Sequence, residues 1–170
     1  MFQHIFRFNH PTTCFVVGPT QAGKTEFVIQ LLKERNDLIH PAPEKIYWAY
    51  GQKNEKQLSR IQEIVPSINF SDGFPDFNSF DARTNNLLIL DDLMDEIGNN
   101  KECANLFTRG SHHNNITVIA IIHNIYNQEK NAKDNLNLYV KYINLEQEIR
   151  TRLVTDKYIL QFSQMKCDTS

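Results

Sequence analysis

Thr13-Cys14-Phe15-Val16-Val17-Gly18-Pro19-Thr20-Gln21-Ala22-Gly23-Lys24-Thr25 is the stretch on which the fold turns. Its first five residues are the short apolar run expected of a buried strand over 13–17. Beyond it, Phe27, Val28, Leu31 and Leu32 share one face of a predicted helix over 24–35. Between strand and helix, residues 18–25 satisfy G-x-x-x-x-G-K-[ST] in full, in the context that makes the match meaningful. Glycines let such a backbone curl so that several N–H groups converge, and the following helix N-terminus adds positive partial charge. A loop of this kind cradles a polyphosphate. Gly18, Pro19, Thr20, Gln21, Ala22, Gly23, Lys24 and Thr25 are therefore the candidate binding residues for a nucleoside triphosphate, with ATP and Mg2+ as the expected ligands. Lys24 is placed to reach the terminal phosphates and the Thr25 hydroxyl to ligate magnesium.

Working outward, residues 45–50 read as a second strand, 55–64 as a helix closed by Pro66, 86–90 as a third buried strand and 116–122 as a fourth. Residues 101–109 have helical spacing, with Ala104, Leu106 and Phe107 apolar and Gly110 as a C-terminal stop. A strand is expected over 138–143 and a helix over 146–154. Residues 158–162 read as a short strand or a tail packed on the sheet. The alternation of strands and helices predicts a three-layer α/β/α domain with a mostly parallel central sheet. Residues 67–81 carry Gly73, Pro75 and the phenylalanines Phe70, Phe74, Phe77 and Phe80, which suits an ordered connection better than a linker. The expectation is one domain over 1–170, with 155–170 as a possible C-terminal tail.

Composition narrows the function. At 170 residues and 41% hydrophobic content the chain suits a single core, which excludes two large domains. With 18 Lys+Arg against 20 Asp+Glu, the net charge of -2 supplies no overall positive field, so any contact with nucleic acid has to be local. Cys14, Cys103 and Cys167 lie far apart, in odd number and in no C-x-x-C pair, which argues against a disulfide framework and for a reducing compartment. The N-terminus lacks the apolar run of a signal peptide, and 118–122 is far short of the roughly 20 residues a membrane span needs. A soluble, intracellular protein without a membrane partner is expected.

A triphosphatase also needs a carboxylate at the end of a neighbouring buried strand. Leu87-Leu88-Ile89-Leu90-Asp91-Asp92 supplies two. Four aliphatics running into paired acids make sense where the acids face a cation or solvent, since an unpaired buried carboxylate is strongly disfavoured. Asp91 is assigned to magnesium, through water, and Asp92 to orienting or deprotonating the attacking water. Glu96 is the second candidate base, and a strand ending in a solvated acidic loop is the plain alternative.

The strand over 116–122 ends in His123-Asn124, at the sheet edge where an open α/β fold binds ligands. Either residue could sense the γ-phosphate, or both could simply cap the strand. Arg109 is a candidate arginine finger, or else a cation complementing the end of its helix. His112, His113 and Cys103 lack the paired spacing of a zinc site. A GTPase is excluded because Asp91-Asp92-Leu93-Met94 has no glycine for Asp-x-x-Gly and no Asn-Lys-x-Asp occurs. A small nucleoside kinase stays as an alternative, although Arg150 and Arg152 form the only close Arg pair available for a lid.

Several segments together resemble the FtsK–HerA superfamily of P-loop NTPases, and within it the viral genome-packaging ATPases of poxvirus and Polinton (adintovirus-like) type. The resemblance runs from about His10 to about Tyr142. His10-Pro11, Gly18-Pro19-Thr20, Tyr50-Gly51-Gln52, Asp72-Gly73-Phe74-Pro75 and Leu90-Asp91-Asp92-Leu93-Met94 follow in the family's order, then 106–115 and His123-Asn124-Ile125-Tyr126. The resemblance implies an ATPase of the additional-strand class, assembled as a homo-oligomeric ring that hydrolyses ATP between subunits. It implies work on double-stranded DNA, driven into a viral capsid through a capsid or portal partner, in the cytoplasm or nucleus of an infected host cell. Arg109, Lys130 and Lys133 are the implied DNA-contacting cations.

Two departures stand out. The family usually has Gln where this chain has His123, and it commonly places an Arg where Lys130 and Lys133 occur. They leave open a second reading, an ATP-binding structural or degenerate packaging subunit with little hydrolysis.

Overall fold

The computed structural model describes residues 8–17, 20–93, 106–107, 114–122, 153–155 and 158–163. In chain order these form β1 (Phe8–Asn9), β2 (Thr13–Val17), α1 (Lys24–Lys33), α2 (Arg35–Leu38), β3 (Ile39–His40), β4 (Lys45–Tyr50) and α3 (Glu55–Ile64). Next come β5 (Asn69–Asp72), a 3-10 turn over Phe77–Ser79, β6 (Asn86–Asp91), β7 (Ile116–Ile122), β8 (Leu153–Thr155) and β9 (Tyr158–Ser163).

Seven strands make one sheet in the order β5-β4-β6-β7-β2-β9-β8. From β5 through β2 every pairing is parallel, while β9 adds antiparallel to β2 and β8 antiparallel to β9. β1 and β3 pair separately. The α/β class and the mostly parallel sheet therefore hold. One strand, β7, stands between β2 and β6, and the registers Val17↔Ile122, Asp91↔Ile121 and Tyr50↔Asp91 bring the C-terminal ends of four strands to one edge.

The strand sequences explain this order. Leu87, Leu88, Ile89 and Leu90 are all buried, because a central parallel strand is covered on both faces and reads as a continuous apolar run. Pleating sends Leu87 and Ile89 to one side and Leu88 and Leu90 to the other. On the first side they meet Val28, Leu31 and Leu32 of α1, Leu38 of α2, and Leu58 and Ile61 of α3. Each such side chain contributes about 1.5–3 kcal/mol by leaving water, so this helix-covered face anchors the fold.

Against the second face pack Phe80, Leu93, Leu106 and Phe107, with Phe15 and Phe107 stacked at a centroid distance of 5.2 Å. Phe74, Phe77, Phe80 and Tyr47 form a chain of ring contacts there. α1, α2 and α3 stand on the first face, and the aromatic connection of residues 73–81 covers part of the second. The ordered connection expected over 67–81 is borne out, and it carries an edge strand, β5, that its polar sequence Asn-Phe-Ser-Asp concealed.

Some boundaries differ from expectation. The helix over 24–35 stops at Lys33, where Glu34 leaves helical geometry and the Arg35 guanidinium donates to the Leu32 carbonyl at 2.7 Å. The helix expected over 146–154 is corrected at its end, since Leu153 and Val154 are strand, paired with Leu160 and Ile159. Backbone pairing overrides local helical spacing there. Residues 158–162 prove to be strand. The predicted helix over 101–109, apart from 106–107, and the strand over 138–143 lie outside the described residues. Among the described residues no helix is long and apolar enough to cross a membrane.

Candidate functional site

The C-terminal edge of the parallel strands collects the chemistry that the sequence singles out. β2 delivers the chain into the glycine-containing loop, where Gln21 (φ 64°) and Gly23 (φ 82°) are left-handed. Gly23 is also the N-cap of α1, a position with no side-chain cap. A turn of this shape aims backbone N–H groups toward a common point, the geometry of an anion-binding concavity. Gly18 and Pro19, which open the motif, lie outside the described residues.

Lys24 begins α1 and is only 3% exposed. Burial of an ammonium is costly without opposite charge nearby, and the electrostatics reflect both sides of that balance. Burial pushes the Lys24 pKa down, and the carboxylates of Asp91 and Asp92 pull it back up. The loop lysine and the paired acids of β6 thus lie within electrostatic reach of one another across the intervening β7. Thr25, Asp91 and Asp92 are half-buried.

The acids sit on an unusual piece of backbone. Asp91 is the last residue of β6, and Asp92 turns into the left-handed region at φ 57°. Gly51, at the exit of β4, donates its N–H to the Asp91 carbonyl at 3.0 Å. A Cβ placed on Gly51 would collide with the Asp92 carbonyl oxygen. The close approach of two strand exits therefore demands glycine at 51.

Gln57 supplies a contact that sequence reasoning missed. From the first turn of α3, its Nε2 donates to Asp91 Oδ2 at 2.8 Å. The signal in the sequence pointed elsewhere: Asn54-x-x-Gln57 reads as a capping box, in which the Gln side chain would fold back to the cap. Asn54 Oδ1 does accept from the Gln57 backbone N–H at 3.2 Å, but the Gln57 side chain turns to the acid.

Whether these residues suit magnesium follows from the donor set. Among the described residues no group of three or more His, Cys, Asp or Glu is gathered. Two carboxylates and a threonine hydroxyl are hard oxygen donors of the kind magnesium takes, an ion that keeps several waters and completes its octahedron with substrate phosphates. By donor type Thr25 and Asp91 suit that ion, and the Lys24 ammonium suits a phosphate.

Lys24, Asp91 and Asp92 are thus brought within electrostatic reach of one another, and Thr20, Gln21, Ala22, Gly23 and Thr25 flank Lys24 in the chain. His123, Asn124, Arg109 and Glu96 lie outside the described residues, as do Lys130, Lys133, His112, His113 and Cys103. Compared with known proteins, the chain matches no family model and no curated protein.

Proposed function

We propose that the chain is a magnesium-dependent, ATP-hydrolysing P-loop motor subunit of the additional-strand class, which works on double-stranded DNA in viral genome packaging. One observation carries the nucleotide part of this reading. β7 stands between the strand that leads into the glycine-containing loop and the strand that ends in Asp91-Asp92, with Lys24 in electrostatic reach of both acids.

In this reading the backbone N–H groups of 18–25 and the Lys24 ammonium bind and orient the triphosphate. Thr25 and Asp91 hold magnesium, which when bound neutralises phosphate charge. Asp92 accepts a proton from the attacking water or orients it. His123 and Asn124, which follow β7 in sequence, are the candidates for sensing the terminal phosphate. A cation from a neighbouring subunit, with Arg109 as candidate, stabilises the charge that develops during transfer. The packaging role, the ring and the capsid or portal partner rest on the sequence resemblance.

The test is steady-state ATP hydrolysis at low salt with and without duplex DNA, alongside Lys24→Ala and Asp92→Asn. Turnover that DNA stimulates, that salt suppresses and that both substitutions abolish is the expected result. Tight ATP binding without turnover would replace the motor by an ATP-binding structural subunit. Phosphate transfer to a nucleoside by a monomer would replace it by a kinase.

A further inference from the structure

Gln57 occupies a place that a metal-holding carboxylate makes consequential. An ionised carboxylate offers two oxygens that accept only, so its orientation is set by the donors around it. Gln57 Nε2 reaches Asp91 Oδ2 at 2.8 Å from a helix far away in sequence. The amide carries no charge. A lysine or arginine in that place would add a second cation beside Asp91, to which the Lys24 ammonium is already coupled, whereas the glutamine orients the carboxylate without adding charge.

The helix that presents Gln57 is itself fixed on several sides. Leu58 and Ile61 bury themselves in the helix-side core. Asn54 caps the first turn through the Gln57 N–H. One helical turn on, Arg60 makes a two-pronged ion pair with Glu26 of α1, the helix that starts at Lys24, with Nη2 to Oε2 at 2.8 Å. This pair is exposed, so solvent screens it and it adds little to stability. Its direction matters more than its energy: α3 touches the phosphate-loop helix through Arg60 and the acid of β6 through Gln57.

We propose that Gln57 is a positioning residue for Asp91, which presents that carboxylate to the magnesium of a bound Mg2+–nucleotide. The inference rests on the nucleotide reading given above and adds to it the residue that sets the metal requirement. Partners of metal-holding groups typically contribute about 10–100-fold in metal affinity, so Gln57→Leu is expected to raise the half-saturating magnesium concentration by at least about 10-fold. Gln57→Asn, which withdraws the amide by one methylene, is expected to act in the same direction and carries the test if the leucine variant does not fold.

The experiment is binding of a fluorescent ATP analogue, titrated with magnesium and repeated in EDTA, for the wild-type protein, both Gln57 variants and Arg60→Ala. Support is a raised magnesium requirement in the Gln57 variants, unchanged affinity in EDTA, and an Arg60→Ala protein within about twofold of wild type, as an exposed pair predicts. An unchanged magnesium requirement in a folded Gln57 variant overturns the proposal. So does equal weakening with and without magnesium, or an Arg60→Ala effect as large as that of Gln57→Leu, either of which would mean a general disturbance of α3. A wild-type protein whose nucleotide binding ignores magnesium overturns the underlying reading instead, and this one with it.

Discussion

Gly51 and Asp92 are locked together by backbone alone: the Gly51 Cα faces the Asp92 carbonyl oxygen with no room for a β-carbon, while its N–H holds the neighbouring Asp91 carbonyl. The obstacle is main chain, so no rotamer change relieves it. Gly51→Ala has to move either the exit of β4 or the turn that carries the acids. Forced overpacking of this kind costs about 1–3 kcal/mol. The expected outcome is a lower urea midpoint together with loss of magnesium-dependent nucleotide binding. A Gly51→Ala protein with wild-type midpoint and wild-type binding would show that the two exits are not in contact.

Asp92 adopts φ 57°, where most L-residues are strained and Asp or Asn is tolerated through local hydrogen bonding. The three informative substitutions should therefore separate in stability. Asp92→Asn keeps the midpoint, Asp92→Ala lowers stability by about 1 kcal/mol, and Asp92→Gly raises it. Under the proposed function all three should lose turnover, because each removes the carboxylate. Thermal melts beside ATPase rates check this. A fully active Asp92→Asn would exclude Asp92 as the proton acceptor and turn attention to Glu96.

Much of this site was legible because its parts are local patterns. Thr13–Val17, Lys45–Tyr50, Glu55–Ile64 and Ile116–Ile122 appear where apolar runs and helical spacing put them, and the loop motif and Asp91-Asp92 stand out as site candidates by residue type. What escaped is non-local. The Gln57 side chain had a sufficient local explanation in the capping pattern, and only the packing of α3 against β6 reveals its other use. β5 escaped because an edge strand paired on one side needs no apolar run. Val154 fits helical spacing yet lies in a strand, because it pairs with Ile159 of β9, a strand that is itself paired to the distant β2.

His10 lies on β2's entry side, toward the opposite end of the sheet from the paired acids. Its Nδ1 is 2.7 Å from Thr117 Oγ1 and its Nε2 is 2.9 Å from Asn115 Oδ1. Thr117 Oγ1 also accepts from the Thr12 N–H, and the Asn115 amide donates to the Thr84 carbonyl. The neutral tautomer with its proton on Nε2 satisfies this set: it donates to Asn115 and accepts the Thr117 hydroxyl proton. Burial pushes the His10 pKa below 6.5, opposed by hydrogen bonding to Asn115 and by Glu44. Because the folded-state pKa is the lower one, the contribution to stability is full above about pH 6.5 and is lost as pH falls through the folded value. Urea midpoints between pH 8 and pH 5 should therefore fall toward acid in the wild-type protein and less steeply in His10→Gln. Equal slopes would mean that other groups cause the acid sensitivity.

Cys14, the second residue of β2 and fully buried among the helix-side core residues, should be an unreactive thiol. Desolvation pushes its pKa from 9.0 up to about 12. Thiolate is the reacting form, so Cys14 should resist iodoacetamide in the native protein at pH 8.5 and label once urea unfolds the chain, as peptide mapping would resolve. Its folded pKa is the higher one, so its contribution to stability is complete below pH 9.0 and declines as pH rises toward about 12. Substitution separates packing from polarity: Cys14→Ala loses a small apolar contact, whereas Cys14→Ser also buries a hydroxyl that needs a partner, at a further cost of about 1–3 kcal/mol. Rapid native-state labelling of Cys14, or a serine variant as stable as the alanine one, would show that β2 is open to water and is not the buried strand that leads into the glycine-containing loop.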